Sequence, residues 1–459
     1  MFDHSKLLQA SVKKRRVRFS ATQIIAIGFA VLILLGAGLL TLPAASKSGV
    51  SCGFFPALFT ATSATCVTGL VLFDTYTQWS TFGQVVIITL IEIGGLGFMS
   101  AASTFVFLLR RKVGLRQRMV IAQALNLNDM DGVMKIQKLV LTGSLTVQGV
   151  GALILFLRFL PQFGFERALA WGVFHAISAF CNAGFDLFGY IAPGQSLIIF
   201  NDDPIICLTL MALVTIGGLG FLVWEEMARV RKFKNFSVYT KLVLLMTTSI
   251  LVIGTVVILC LEWSNPDTLG NMPVWQKIMN AFFQTGTLRT AGFVTMDQAA
   301  LRDATKVFSI LVMFVGGSSG STAGGLKTVT VVVLLLFIWA KARGKQSVHV
   351  FKRNIPGEKA VDAMTITFIT VVLSLFGGML ICTAAPVSFL DGWFEAVSAI
   401  CTVGLSAAGT ANLGILAQSM IIAFMYFGRV GILTLSLGFL MGNKARDRFH
   451  YADTNLLIG

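Results

Sequence analysis

Residues 55–70 read FPALFTATSATCVTGL, and the chain returns to that pattern three more times. The later copies are WGVFHAISAFCNAGF (171–185), KIMNAFFQTGTLRTAGF (277–293) and GWFEAVSAICTVGL (392–405). Each is a short apolar segment ending near a glycine. None is long enough to cross a hydrocarbon core of about 30 Å, which takes roughly 20 helical residues. Gly69, Gly184, Gly292 and Gly404 set the register, 115, 108 and 112 residues apart. A second glycine follows each one: Gly94, Gly217, Gly316 and Gly428, after 25, 33, 24 and 24 residues. The longer second interval places an insertion in the loop 189–203. A period of about 110 residues is too long for a solenoid unit, and four linked copies of one membrane hairpin account for it.

Long apolar blocks flank the short ones, at 24–42, 83–109, 139–160, 205–228, 241–262, 307–339, 361–383 and 419–441. The chain is 55% apolar and 12% charged, about half the charged share of an ordinary globular protein. A bilayer explains that balance better than a soluble core does. The first block follows Lys13-Lys14-Arg15-Arg16, as a signal peptide would, but it is too long for an h-region and more spans follow, so it reads as a retained helix. Seven scattered cysteines show no CxxC pair, and the sequence carries no HExxH, Walker A loop or GxSxG elbow. Nothing here points to an enzyme.

The basic residues decide the topology. Of 36 Lys and Arg, 27 fall in the stretches 6–18, 110–138, 229–241, 341–359 and 444–448. If the short segments crossed the membrane, these stretches would alternate sides. If they re-enter, each repeat crosses twice and all five share one side, as the positive-inside rule requires. The fold expected is therefore an all-α membrane protein of four covalently linked M1–P–M2 repeats. It has eight transmembrane helices and four re-entrant loops around a central pore, with both termini cytoplasmic. A cytoplasmic segment 1–20 precedes repeats at 21–111, 112–230, 231–343 and 344–443, and a cytoplasmic tail, 444–459, follows. The net charge of +15 fits anchoring at the inner leaflet and docking of an acidic cytosolic partner; no aromatic platform accompanies it for nucleic acid.

Irregular backbone survives at membrane depth only where it is buried or lines a water-filled path. Four converging loops would turn the carbonyl ends of their half-helices toward an axis, where the dipole favours a cation. Extended residues beyond could then replace a hydration shell with carbonyl oxygens. The candidate strands are Cys66-Val67-Thr68-Gly69, Cys181-Asn182-Ala183-Gly184, Arg289-Thr290-Ala291-Gly292 and Cys401-Thr402-Val403-Gly404. They contain no carboxylate, which favours coordination of a monovalent cation by carbonyls over a divalent site ringed by acids.

These strands, the repeated IGGLGF (93–98 and 216–221), the run GGSSGSTAGGLK (316–327) and FGRVGIL (427–433) occur in order at the repeat spacing. Over roughly residues 20–445 the chain resembles the membrane subunit of the Trk/Ktr/HKT superfamily of potassium transporters, most of all the bacterial KtrB type. The resemblance implies potassium uptake, homodimerisation in the bacterial cell membrane and control by a cytosolic nucleotide-binding ring of the KtrA/KtrC kind. It also implies sodium stimulation, with the nucleotide on the partner and no cofactor on this chain. In related plant proteins serine at the first of the four strand-end positions accompanies sodium selectivity, so the resemblance implies that glycine at all four points to potassium.

Several further residues carry expectations. The run Gly316, Gly317, Ser318, Ser319, Gly320, Ser321, Thr322, Ala323, Gly324, Gly325, Leu326, Lys327 interrupts the third M2 block. With five glycines in ten residues, each costing about 1 kcal/mol in a helix, it reads as an intramembrane gate loop beneath the filter, which the family shares. A closely packed, kinked helix is the plainer alternative. Arg429, inside an apolar block, is expected to face the pore and hold that loop, or else to form a structural ion pair. Glu92 is either on the cation path or a helix-packing hydrogen-bond group. Arg289 is expected to brace the filter from behind, as the family's arginine does. Asp186 either concentrates cations at the entrance or is a solvated loop acid. The rival function is an ion-coupled symporter with a midplane site; its repeats would ordinarily be two and inverted.

Overall fold

The computed structural model describes residues 21–97, 133–345 and 347–431. Helix α1 (Ala21–Thr41) leads through Pro43 to the short α2 (Phe54–Cys66) and then α3 (Thr81–Leu96). Next come α4 (Val133–Phe180), α5 (Pro204–Leu219) and α6 (Phe221–Val230). The third unit holds α7 (Val238–Glu262), α8 (Val274–Thr287), α9 (Asp303–Met313) and α10 (Thr328–Ala342). The last holds α11 (Gly357–Ala384), α12 (Phe389–Ile400) and α13 (Ile415–Val430). Two three-residue strands, β1 (Val348–Val350) and β2 (Arg353–Ile355), form an antiparallel hairpin before α11. Among the described residues the regular structure is helical apart from that hairpin.

Local chemistry explains the boundaries. Asp203 caps α5, its carboxylate accepting from the amides of Ile205 and Ile206 and from Arg158 Nε at 2.7 Å. Ser80, Ser237 and Ser388 cap α3, α7 and α12 in the same way, each satisfying an N–H with no partner inside its helix. Within α4, Pro161 and a left-handed Gly164 (φ 74°) break the helix. Its second half doubles back, so that a Cβ on Gly172 would lie 2.8 Å from the carbonyl oxygen of Ala152.

The sequence predicts eight spans, with an interruption only in the third M2 block, whereas four described helices are long and apolar enough to cross a membrane: Gln23–Thr41, Gln137–Phe180, Val238–Glu262 and Gly357–Ala384. Among the described residues, the predicted second helix of each repeat ends or breaks short of its expected length. Helices α3, α5 and α13 stop at Gly97, Gly220 and Gly431, with φ of 87°, 89° and 95°, each three residues beyond Gly94, Gly217 and Gly428. Past Gly220 the chain bends by 92° into α6. In the third unit the interruption is the run 314–327 between α9 and α10. The continuations at 98–109 and 432–441, the basic stretches 6–18, 110–132 and 444–448, the N-terminal segment 1–20 and the tail 444–459 lie outside the described residues.

Packing relates one unit to the next. Helix α3 lies on α4, α5 on α8, α9 on α12, and α13 on α2, which returns the sequence of contacts to the first unit. The interior holds Trp79, Trp171, Phe59, Phe180, Phe283 and Phe394, while Leu35, Leu157, Val252 and Phe368 stay exposed on the long helices. Apolar side chains outside and close packing inside are what a hydrocarbon solvent allows.

Candidate functional site

The four candidate strands follow α2, α4, α8 and α12, and their backbones share one unusual conformation. Val67, Asn182, Thr290 and Thr402 are left-handed, with φ of 57°, 60°, 64° and 52°, and two residues later Gly69, Gly184, Gly292 and Gly404 have φ of 101°, 70°, 78° and 90°. A non-glycine residue held this way costs about 1–3 kcal/mol and persists only where its surroundings over-determine it. Four such residues at one register turn the chain the same way in every unit.

The surroundings that hold them are visible. Thr68 N donates to Ser63 O at 2.9 Å and Gly69 N to Ser63 Oγ at 3.1 Å. Val403 N and Gly404 N make the same pair of bonds to Ser398, at 2.7 and 3.1 Å. In the second unit Ala183 N donates to Ser178 O (2.8 Å) and Ser178 Oγ donates to Phe185 O (2.7 Å). In the third, Thr287 Oγ1 donates to Phe293 O at 2.7 Å and Ala291 N to Thr287 O at 3.0 Å. Sequence reasoning missed this hydroxyl behind every strand, although its signal is present as Ser-Ala-x-Cys at 63–66, 178–181 and 398–401. His175 supports the second loop further: Nδ1 lies 2.7 Å from Trp171 O, and Nε2 accepts from Leu187 N at 3.1 Å. That acceptance assigns the proton to Nδ1.

The glycines meet one another. A Cβ on Gly69 would lie 2.6 Å from Ala183 O and 3.3 Å from Gly404 Cα; one on Gly184 would lie 2.7 Å from Gly292 Cα. One on Gly292 would lie 3.0 Å from Val403 O. The strand ends therefore adjoin in the order 69, 184, 292, 404 and back to 69. No side chain fits among them, and backbone oxygens are their immediate neighbours. Residues 66–69, 181–184, 289–292 and 401–404 are all buried, Gly404 less fully than the rest.

The run 316–327 passes beneath two of these strands. Thr322 Oγ1 donates to Phe180 O at 3.0 Å and lies 3.1 Å from the side-chain amide of Asn182. A Cβ on Gly325 would lie 3.5 Å from both the Cβ and the carbonyl oxygen of Cys401. The segment is densely hydrogen-bonded. The break at Gly220 frees carbonyls at the end of α5, and the loop fills them: Ser318 N donates to Gly218 O (3.0 Å), Thr322 N to Gly217 O (3.4 Å) and Ser318 Oγ to Leu219 O. Gly316 N donates to Leu326 O at 2.9 Å, closing the loop on itself, and Lys327 Nζ donates to Ala323 O at 2.9 Å. Ser321 Oγ donates to Ser318 O, Tyr239 Oη to Ser319 O, and Phe221 N to Gly320 O.

Arg429 reaches the same loop. Its Nη1 donates to Thr322 O at 2.5 Å, and its Nη2 to Gly94 O and Gly95 O at 2.5 and 3.1 Å, the carbonyls freed where α3 ends. Arg289 is 6% exposed and turned inward, with Nη2 3.4 Å from Gly316 O. Glu92 accepts from Gln148 Nε2 at 2.9 Å and from the Cys181 thiol at 3.3 Å. Asp186, in the loop beyond Gly184, is half-buried and accepts from Phe188 N at 3.1 Å, so it is not a plain solvated acid. Burial, and secondarily the charge of Asp74, push its carboxyl up to about 6, against the pull of the hydrogen bonds it accepts.

Apolar helices long enough to span, packed around four strained carbonyl-rich strands, define a multi-pass membrane transport protein. The family model TrkH, a cation transport protein, matches residues 1–446, and the chain belongs to that family. It is 38% identical to the potassium/sodium uptake protein NtpJ of Enterococcus hirae, over 98% of this chain and 99% of the relative. It is 39% identical to the Ktr system potassium uptake protein B of Bacillus subtilis, over 96% and 98%. The crystal structure of the potassium transporter TrkH from Vibrio parahaemolyticus superposes with a TM-score of 0.70 at 19% identity, over 92% of this chain and 86% of that one, a likeness of fold.

Proposed function

We propose that this chain takes up potassium across the bacterial cell membrane, through a selectivity filter formed by residues 66–69, 181–184, 289–292 and 401–404. The observation that carries the reading is the mutual approach of Gly69, Gly184, Gly292 and Gly404, each reached from its neighbour by backbone oxygen or Cα. Carbonyls held by strain and by hydroxyl braces can replace a hydration shell without reorganising. The short helices end at these strands, so their dipoles favour a cation there. The names of the two relatives above, both of them uptake proteins for potassium, support the choice of ion.

The four units are M1–P–M2 repeats in this reading. Each short helix is a re-entrant pore helix, each interrupted helix lines the inner pore, and both termini face the cytoplasm. The loop 316–327 with Arg429 is the gate beneath the filter. A homodimer controlled by a cytosolic nucleotide-binding ring completes the transporter, with sodium as a stimulating ion; the word "system" in the Bacillus relative's name fits a multi-component assembly. The decisive experiment is potassium flux by the purified chain in liposomes, with and without sodium. Potassium-selective flux is expected. Absence of flux from folded, inserted protein supplied with a matching cytosolic subunit sinks the assignment.

A further inference from the structure

One position recurs two residues before Gly94, Gly217, Gly316 and Gly428. In the first unit this is Glu92, beside Cys181. In the second it is Thr215, which lines the same small cavity as Arg289. In the third it is Phe314, which shares a core cluster with Cys401. In the fourth it is Tyr426, whose hydroxyl is engaged with Ala26 O at 2.8 Å. Glu92 is the one acid among the four, and it bonds the first residue of the second strand.

The contact is close and built from several parts. A Cβ on Gly95 would lie 2.6 Å from Cys181 Sγ, so the absence of a side chain there lets α3 sit directly on the strand. Glu92 stands three residues earlier on the same helical face, and its Oε2 accepts both the Cys181 thiol (3.3 Å) and Gln148 Nε2 (2.9 Å). Gln148 belongs to α4, the helix whose second half carries Cys181 at its end. Cys181 N donates to Ile177 O at 2.9 Å, which pins the main chain on the other side. The turn of α3 that holds Glu92 also offers Gly94 O and Gly95 O to Arg429.

We infer that Glu92 is a positioning residue for ion selectivity: steadied by Gln148, it holds the Cys181 thiol and so sets the place of the strand 181–184. This rests on reading 181–184 as a filter strand. A strand that can shift fits ions of more than one radius, so releasing its first residue lets sodium compete. The carboxylate works here as a hydrogen-bond acceptor, which a carboxamide replaces and an alkyl chain does not.

The test is the ratio of potassium to sodium flux in liposomes for Glu92→Leu, Glu92→Gln, Cys181→Ala and the double variant Glu92→Leu/Cys181→Ala, with melting temperature measured alongside. One net hydrogen bond of about 1 kcal/mol corresponds to about a fivefold change. The ratio is expected to fall by about that factor in Glu92→Leu and in Cys181→Ala, to fall no further in the double variant, and to recover in Glu92→Gln. A lowered melting temperature with an unchanged ratio in Glu92→Leu makes Glu92 a packing group and overturns the inference. If Glu92→Leu does not fold, an unchanged ratio in Cys181→Ala overturns it equally. Gly184→Ser separates the two levels: a changed ratio there beside an unchanged Glu92→Leu refutes the positioning role alone, and no change in either refutes the filter reading as well.

Discussion

Arg429 Nη1 donates to the carbonyl of Thr322 at 2.5 Å while its Nη2 holds Gly94 O, so one side chain from the fourth unit ties the loop of the third to the broken helix of the first. Charge-assisted bonds to carbonyls are worth about 1.5–3 kcal/mol each, and these are made by a partly buried guanidinium. If the loop is the gate proposed above, the loop and the arginine together are the element that switches between two states.

Arg429→Ala should therefore raise basal potassium flux by about tenfold, the effect of losing roughly 1.4 kcal/mol from a closed state, and weaken dependence on the cytosolic partner. The ratio of potassium to sodium flux should stay as it was. Shortening 318–321 should act in the same direction. Liposome flux with and without partner reads both; loss of flux in a folded, inserted variant would assign the segment to the conduction scaffold.

At Gly69 the added atoms of Gly69→Ser would sit 2.6 Å from Ala183 O at a φ of 101°, a conformation strained for any side chain. The strain, about 1–3 kcal/mol, falls on the strands proposed to bind the ion. We expect the ratio of potassium to sodium uptake to drop by about tenfold. An unchanged ratio would remove Gly69 from the filter.

Asp186 makes a pH prediction. Its carboxyl is pushed up to about 6, chiefly by burial, so it is charged at pH 7.5 and neutral at pH 5. If the charge draws cations to the entrance, uptake at subsaturating potassium should fall by about threefold as external pH is lowered across that range. Asp186→Asn should show the low rate throughout. Equal pH profiles for the two proteins would show that Asp186 has no part in ion entry.

Single cysteines at positions 14, 115, 234, 345 and 446 test the topology, in a background lacking Cys52, Cys260 and Cys382. An impermeant thiol reagent should label all five from the cytoplasmic side alone. Labelling that alternates between sides would mean that the short helices cross, which would bring the symporter back.

Much of this architecture was legible in the chain because the membrane imposes simple rules. Apolar length marked the long helices, glycine spacing marked four units, and the approach of Arg429 to the 316–327 loop followed from placing a charge and a polar run at one depth. Three things were not legible. Gly97, Gly220 and Gly431 end helices inside blocks that read as continuous, because a hydropathy pattern cannot register a single left-handed dihedral. The hydrogen bonds that hold the loop 316–327 could not be read from the chain, because several of its partners are main-chain carbonyls of α5, which any sequence would supply. The hydroxyls of Ser63, Ser178, Thr287 and Ser398 were overlooked because a serine in an apolar helix has no periodic signature.

By itself, then, the sequence determined the membrane solvent and the residue types at the strand ends, since burial in hydrocarbon and glycine's missing Cβ act locally. Tertiary structure alone decided which unit meets which. The order 69, 184, 292, 404, the reach of Arg429 into two other units and the contact of Glu92 with Cys181 all join residues from 89 to 335 positions apart. Such contacts depend on how helices cross and where their freed carbonyls point, and those directions exist only once the chain is packed.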